Sequence, residues 1–264
     1  MAIERLHWVL VHGAWQGAWM YYKTMALLQQ EGYKVTAVDL VSCGTSSVDP
    51  NTVTDFKTYN EPLVDVLNAI PDTEQVVLVA QSMGGFSMTH AMEQFSHKIV
   101  LAIAVAAILL LNGASIDDSP TFSDMLFKDT PISKEMIPNF GNGPKNPPTT
   151  FSIDKEDLPN RFYHAVLPED VVLAQILCRP VPAPVIRGAV VNYTPEKHGT
   201  VPSVYIKCLQ DRAVLPAAQD YIIEHTPQEE VIEMDTDHTP MLSAPKELHQ
   251  ILMQLAKKYA HGGE

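Results

Sequence analysis

The chain has 264 residues, 46% of them hydrophobic and 19% charged, enough apolar content to bury one core and too much for a disordered acidic tail. Lysine and arginine number 18 against 31 aspartates and glutamates, and the resulting net charge of −13 has the wrong sign for nucleic acid or an anionic membrane surface. Three widely spaced cysteines, Cys43, Cys178 and Cys208, offer neither a disulfide framework nor zinc-binding spacing, which fits a reducing, cytosolic (cytoplasmic) setting.

The first residues, Met1 to His7, include an acid and no apolar run, so no secretory signal is expected. Val9-Leu-Val11 is a strand that ends in His12-Gly13; an amphipathic stretch from Tyr21 to Glu31 follows, then Gly32 and a second strand, Val35 to Val38. A second helix is expected over Tyr59 to Ile70, stopped by Pro71, before the apolar strand Gln75 to Ala80, whose unbroken hydrophobicity marks a sheet covered on both faces. Ile99 to Leu111 is several residues shorter than the roughly 18 needed to cross a bilayer, so it reads as a buried strand running on into a pocket wall. Beyond Pro202 the alternation returns with strands Ser203 to Cys208 and Glu230 to Met234 and a closing helix from Pro245 to Tyr259. Strands alternating with helices imply an α/β fold with a mostly parallel, doubly wound sheet.

Between Asn112 and Pro202 the alternation breaks down, and this stretch holds most of the 20 prolines. Its best helices, Pro120 to Phe127, Asp157 to Val166 and Pro168 to Cys178, are too few for a separate core. The expected organisation is a core from residues 1–111 and 203–264, with a mainly helical cap, residues 112–202, laid over the carboxyl edge of the sheet.

The strand Gln75 to Ala80 runs into Gln81-Ser82-Met83-Gly84-Gly85 and a helix, which puts Ser82 where a nucleophile elbow would lift its hydroxyl clear of the sheet. A serine needs a base to take its proton and a carboxylate to orient that base. Asp211 and His238 each stand just past a later strand, so all three residues come from the edge where such sheets build their sites. The oxyanion that forms on attack needs two N–H donors, for which Met83 and Ala14 are the candidates; Gly13 lets the loop approach without a side chain in the way. Among competing residues, Asp235 and Asp237 flank His238 too closely to orient its ring and read as solvated turn residues. Asp39 reads as a cap, His12 as structural beside the oxyanion loop, and His90 and His97 as surface or packing groups.

No metal or phosphate cradle is found: HExxH and GxxxxGK[ST] are absent, and no cofactor is expected. The expected partner is a small-molecule ester, with no nucleic acid or membrane, and a homodimer is left open. Phe122, Leu126, Phe151, Phe162, Tyr163 and Leu177 are the cap's candidates for a pocket wall.

Several blocks together resemble the plant methylesterase and hydroxynitrile lyase family of α/β-hydrolases. They are Val9 to Trp19, Tyr22-Lys23, Gly32 to Leu40, Ser82-Met-Gly-Gly85, Pro168-Glu-Asp170, Arg179-Pro180 and Asp237-His-Thr-Pro-Met-Leu242. The resemblance implies an α/β-hydrolase fold, a triad of Ser82, Asp211 and His238, oxyanion donors at Ala14 and Met83, and cleavage of methyl esters of small acids such as salicylate or jasmonate. Members of the lyase branch carry a lysine after the histidine and a threonine at the loop glycine. Thr239 and Gly13 stand here instead and favour the esterase branch. Departures from the esterase pattern are Ala80 for the elbow glycine, Gln81 for histidine and Thr239 for an apolar residue. Gln81 and Thr239 imply hydrogen-bonding groups at the acyl pocket, hence a more polar or bulkier acid than salicylate. A slow triad-bearing receptor and a C–C cleaving or decarboxylating enzyme are the other readings of such a site.

Overall fold

The computed structural model describes residues 6–128 and 134–260. In chain order the first half gives β1 (Leu6–Val11), α1 (Tyr22–Gln30), β2 (Lys34–Val38), α2 (Phe56–Ala69), β3 (Gln75–Gln81), α3 (Gly84–Gln94) and β4 (Ile99–Val105). Next come α4 (Pro120–Phe127), β5 (Met136–Asn139), β6 (Thr150–Ile153), α5 (Leu158–Phe162), α6 (Pro168–Leu177), β7 (Val181–Pro182) and α7 (Ala183–Gly188). The alternation then resumes with β8 (Ser203–Cys208), α8 (Pro216–His225), β9 (Glu230–Met234), α9 (Pro240–Ser243) and α10 (Pro245–Leu255).

The main sheet has the order β2-β1-β3-β4-β8-β9, with every neighbouring pair parallel. Val76 to Gln81 are all buried, as the continuous apolar run of β3 requires of a central strand with helices on both faces. The order reverses between β1 and β3, so the loops leaving these two neighbours splay apart at their carboxyl ends and open a crevice. Gly13 and Ser82 sit on its two sides.

Two differences from the expected elements, at α2 and in the segment between β4 and β8, have local causes. Helix α2 starts at Phe56 instead of Tyr59 because the Asp55 carboxylate accepts the Thr58 N–H at 2.8 Å and caps the helix there. Strand β4 gives way after Val105 to the expected wall segment, where Ala106 turns to φ +44 and the chain comes back to donate Ile108 N–H to Ser82 O at 2.8 Å. The stretch between β4 and β8 adds an antiparallel sheet, β5-β6-β7, to its helices, and its strands are too short and proline-marked for their alternation to stand out. The expected outer limits of the core, residues 1 and 264, lie outside the described residues. Among the described residues no helix is long and apolar enough to cross a membrane.

His12 joins the ends of β1 and β2. It is fully buried; its Nε2 accepts the Leu40 N–H at 3.2 Å, so the ring proton lies on Nδ1, which donates to the Gly13 carbonyl at 2.8 Å. Burial holds this imidazole below the usual histidine range, with the Gly13 carbonyl and Asp39 opposing only in part. The folded state therefore keeps His12 neutral, while the unfolded chain takes up a proton as pH falls through about 6.5. Stability contributed by the neutral ring is complete above that pH and is lost below it, by up to about 1.4 kcal/mol per pH unit. Unfolding free energies measured from pH 7.5 to 5.5 should fall more steeply in the wild type than in His12→Asn, with the excess slope growing below pH 6.5 toward one proton and summing to about 1.4 kcal/mol over the range. Equal slopes would contradict this.

Candidate active site

Ser82 leaves β3 with φ +52, a left-handed conformation rarely adopted by residues with a Cβ. Its backbone is held from both sides: the N–H donates to Val105 O at 3.3 Å, and the carbonyl accepts Gly85 N at 3.0 Å and Ile108 N at 2.8 Å. The two following glycines are needed for space. A Cβ on Gly84 would stand 2.6 Å from the His12 carbonyl oxygen, and one on Gly85 would stand 2.3 Å from that of Ile108.

His238 and Asp211 are buried, with Nδ1 and Oδ2 2.6 Å apart. The other oxygen of Asp211 accepts the Ala213 N–H at 2.7 Å and the Val214 N–H at 2.9 Å, and Gln219 Nε2 donates to Oδ2 at 3.3 Å. A carboxylate so surrounded by donors acts as an acceptor toward His238 Nδ1, which leaves Nε2 as the ring's basic nitrogen. Gln219, on α8, also bonds both the N–H and the carbonyl of Cys208, so it ties the turn bearing Asp211 to the end of β8. Sequence reasoning missed it; a fully buried glutamine on a short amphipathic helix has no sequence signal of its own.

The loop bearing His238 is fixed by its neighbours. Gln81 Nε2 donates to the His238 carbonyl at 3.0 Å, Thr239 Oγ1 to the Phe162 carbonyl at 2.8 Å, and Ala165 N to Asp237 Oδ2 at 3.0 Å. Asp237 is therefore no solvated turn residue: it is fully buried and also accepts from Thr239 N and Ser243 Oγ. Asp235 is exposed and pairs with Gln210. Asp39 caps as expected, accepting from Ala18 N and Thr45 N.

The amides of Ala14 and Met83 have no acceptor among the described residues, and both residues line the same cavity as Ser82. Gly13 makes this approach possible, since a Cβ there would lie 2.6 Å from Ser82 Cβ and 2.5 Å from Gln81 Oε1. Gln16 fixes the loop by accepting the Gly13 N–H at 3.2 Å while donating to Tyr163 Oη at 3.1 Å.

The cavity over Ser82 has about 40 Å³ of room; among the described residues, Ser82 bears the only hydroxyl in its wall, which carries no charged side chain. Of the expected pocket residues, Leu126 lines it. Phe122 instead stacks on Tyr221, Phe151 receives the Trp15 indole N–H on its carbonyl, and Tyr163 bonds Gln16. Leu177 is also absent from the wall, and Phe162 packs edge-on against the His238 ring at 5.4 Å. Gln81 and Thr239 spend their donors on backbone carbonyls, so neither brings a polar group into the cavity wall, contrary to the expectation of a polar pocket. Ile108, in the stretch expected to form a wall, also lines it, while Trp15, Ile186 and Val214 are wall residues that sequence reasoning did not single out. A larger cavity, about 430 Å³, lies between α3, the segment after β4 and the amino ends of β8 and β9, and none of the triad residues lines it.

The alpha/beta hydrolase family pattern matches residues 8–251. The putative chloroplastic methylesterase 11 of Arabidopsis thaliana is 37% identical over 257 residues, 97% of this chain and 65% of that protein. Methyl jasmonate esterase 1 of Vitis vinifera is 36% identical over 259 residues, 96% of this chain and 98% of that protein. The chain belongs to the alpha/beta hydrolase family, in its plant methylesterase group. Among solved structures, tomato methylketone synthase I complexed with 2-tridecanone superimposes on this hydrolase with a TM-score of 0.85 at 32% identity, covering 97% of this chain and 99% of that one. The chain thus spans just under two thirds of the first relative's length and nearly all of the other two.

Filling the space at Gly13 displaces either the elbow or the oxyanion loop. Gly13→Ala should slow fluorophosphonate labelling of Ser82 by about 100-fold, the scale of losing one oxyanion donor. Labelling at the wild-type rate in a folded variant would show that the loop and the serine do not act together.

Proposed function

We propose that this hydrolase is a serine carboxylic ester hydrolase that cleaves the methyl ester of a small, apolar carboxylic acid without a cofactor. The observation that carries the reading is the buried 2.6 Å contact between His238 and Asp211 on the same sheet edge as a strained Ser82. Strained backbone at a buried serine persists where the surrounding structure enforces it, and it marks functional sites.

In the proposed cycle His238 Nε2 takes the Ser82 proton as Oγ attacks the ester carbonyl, and Asp211 stabilises the imidazolium through Nδ1. The N–H groups of Ala14 and Met83 stabilise the tetrahedral oxyanion. His238 returns the proton to the leaving methanol, and water then attacks the acyl-enzyme by the same route, releasing the acid and restoring Ser82. The apolar wall supports an apolar acid. Cleavage of cyanohydrins is disfavoured: among the described residues no lysine or arginine lines the cavity, and the Thr239 hydroxyl is committed to Phe162 O.

Decarboxylation is the second reading, supported by the likeness to methylketone synthase I. It ranks lower because loss of CO₂ needs no nucleophile, whereas Ser82 is held in a strained elbow. We further propose a cytosolic enzyme, for which the support is three buried, free thiols.

A panel of methyl and p-nitrophenyl esters, with mandelonitrile and a β-keto acid alongside, tests the reading. The wild type should turn over apolar esters many times, and Ser82→Ala should lose at least about 1,000-fold in kcat. Single-turnover behaviour would point to a receptor, and a β-keto acid turned over equally by Ser82→Ala would point to decarboxylation.

A further inference from the structure

We propose that Trp15 sets the length of the acyl chain that the site admits; this rests on the esterase reading above. Trp15 follows the oxyanion donor Ala14, lines the cavity over Ser82, and is only 5% exposed. The room left there, about 40 Å³, lies far below the roughly 300–1,000 Å³ of ordinary small-molecule pockets, and an indole is the largest side chain in the wall.

The ring is not free to swing away. Its Nε1–H donates to Phe151 O on β6 at 2.9 Å, its edge packs on Phe162 at 5.8 Å, and its own carbonyl accepts Arg179 N at 3.0 Å. The backbone holds φ +63, a conformation a bulky residue adopts only when its surroundings impose it. Arg179 also donates to the carbonyls of Gly44 and Ser46, so the segment that grips Trp15 is itself bound to the loop after β2.

This arrangement couples size to chemistry. A short acyl group fits beside the indole, whereas a long one has to push it aside. The displaced residue adjoins Ala14, whose N–H is one of the two oxyanion donors, and Phe162, which packs on the His238 ring. A chain that is too long is therefore bound with the oxyanion loop and the base disturbed, and the penalty appears in kcat more than in KM.

The test is the chain-length profile of p-nitrophenyl esters from acetate to decanoate for the wild type, Trp15→Ala and Trp15→Phe, with thermal unfolding as the check on folding. In the wild type kcat should fall at least tenfold between butyrate and octanoate. Trp15→Ala should raise the octanoate-to-butyrate ratio of kcat at least tenfold, and Trp15→Phe, which keeps most of the bulk, less than threefold. A flat wild-type profile, or a folded Trp15→Ala with the wild-type ratio, would overturn the proposal. Should Trp15→Ala not fold, Trp15→Val takes its place and the wild-type profile still decides.

Failure of the esterase reading is told apart by Ser82→Ala: the reading fails if no ester is turned over, or if turnover survives that substitution. Length selection is then read from thermal shifts produced by n-alkyl carboxylates of the same lengths. Shifts that stop beyond butyrate in the wild type and extend to octanoate in Trp15→Ala support the size role, and equal shifts along the series in both proteins overturn it.

Discussion

The constraint on which the site depends is the close approach of three backbones at the end of β3: Ser82 turns at φ +52, α3 starts against the carbonyls at the end of β1, and the chain leaving β4 folds back to donate Ile108 N–H to Ser82 O. Buried backbone groups must be paired, and this crossing pairs them while holding a serine in a conformation it would otherwise leave. Gly84 and Gly85 follow from the same crossing, since either Cβ would meet a carbonyl oxygen. So does the position of Met83, which lines the cavity and whose N–H has no acceptor among the described residues. Ser82 and Met83, the proposed nucleophile and oxyanion donor, are thus fixed by one packing problem.

A different device places His238, the proposed base. His238 is gripped through its ring by Asp211, through its carbonyl by Gln81, and through its neighbours Asp237 and Thr239 by the backbone around α5. The segment between β4 and β8 is therefore part of the support of the histidine as well as a cover. Three blocks of the family resemblance that bear no chemistry act here as ties: Asp170 on α6 accepts from Tyr22 and Lys23 on α1, and Arg179 reaches the loop after β2. Removing the cover would loosen the base, which explains why the polar ties cluster where insert and core meet. Within the cavity itself polarity is nearly absent, so in the proposed reaction the few polar groups around Ser82 would act in a low-dielectric surround where hydrogen bonds to developing charge are strongest.

Much of this was legible in the sequence. The apolar runs of β3, β8 and β9 and the turn residues after them placed Ser82, Asp211 and His238 on one edge, because the period and length of an apolar run are local properties. Gly13, Gly84 and Gly85 were readable for the same reason: a glycine beside a catalytic turn marks a close approach. The roles of Gln81, Thr239 and Asp237 were not legible. A buried amide, hydroxyl or carboxylate reads like a solvated one until its partner is known, and the partners here, His238 O, Phe162 O and Ala165 N, lie 157, 77 and 72 residues away.

By itself the sequence determined the parallel α/β core, the order in which Ser82, Asp211 and His238 reach one sheet edge, and the acidic net charge, all of which follow from local pattern and composition. Tertiary structure alone decided which side chains face the reacting centre. Phe122, Phe151 and Phe162 of the insert turned to packing while Phe127 and Trp15 turned to the cavity, because that choice depends on how an irregular, proline-rich segment settles on the sheet, and no periodicity records it. It also decided that the pocket is small and apolar, since Gln81 and Thr239 found backbone partners outside the cavity wall.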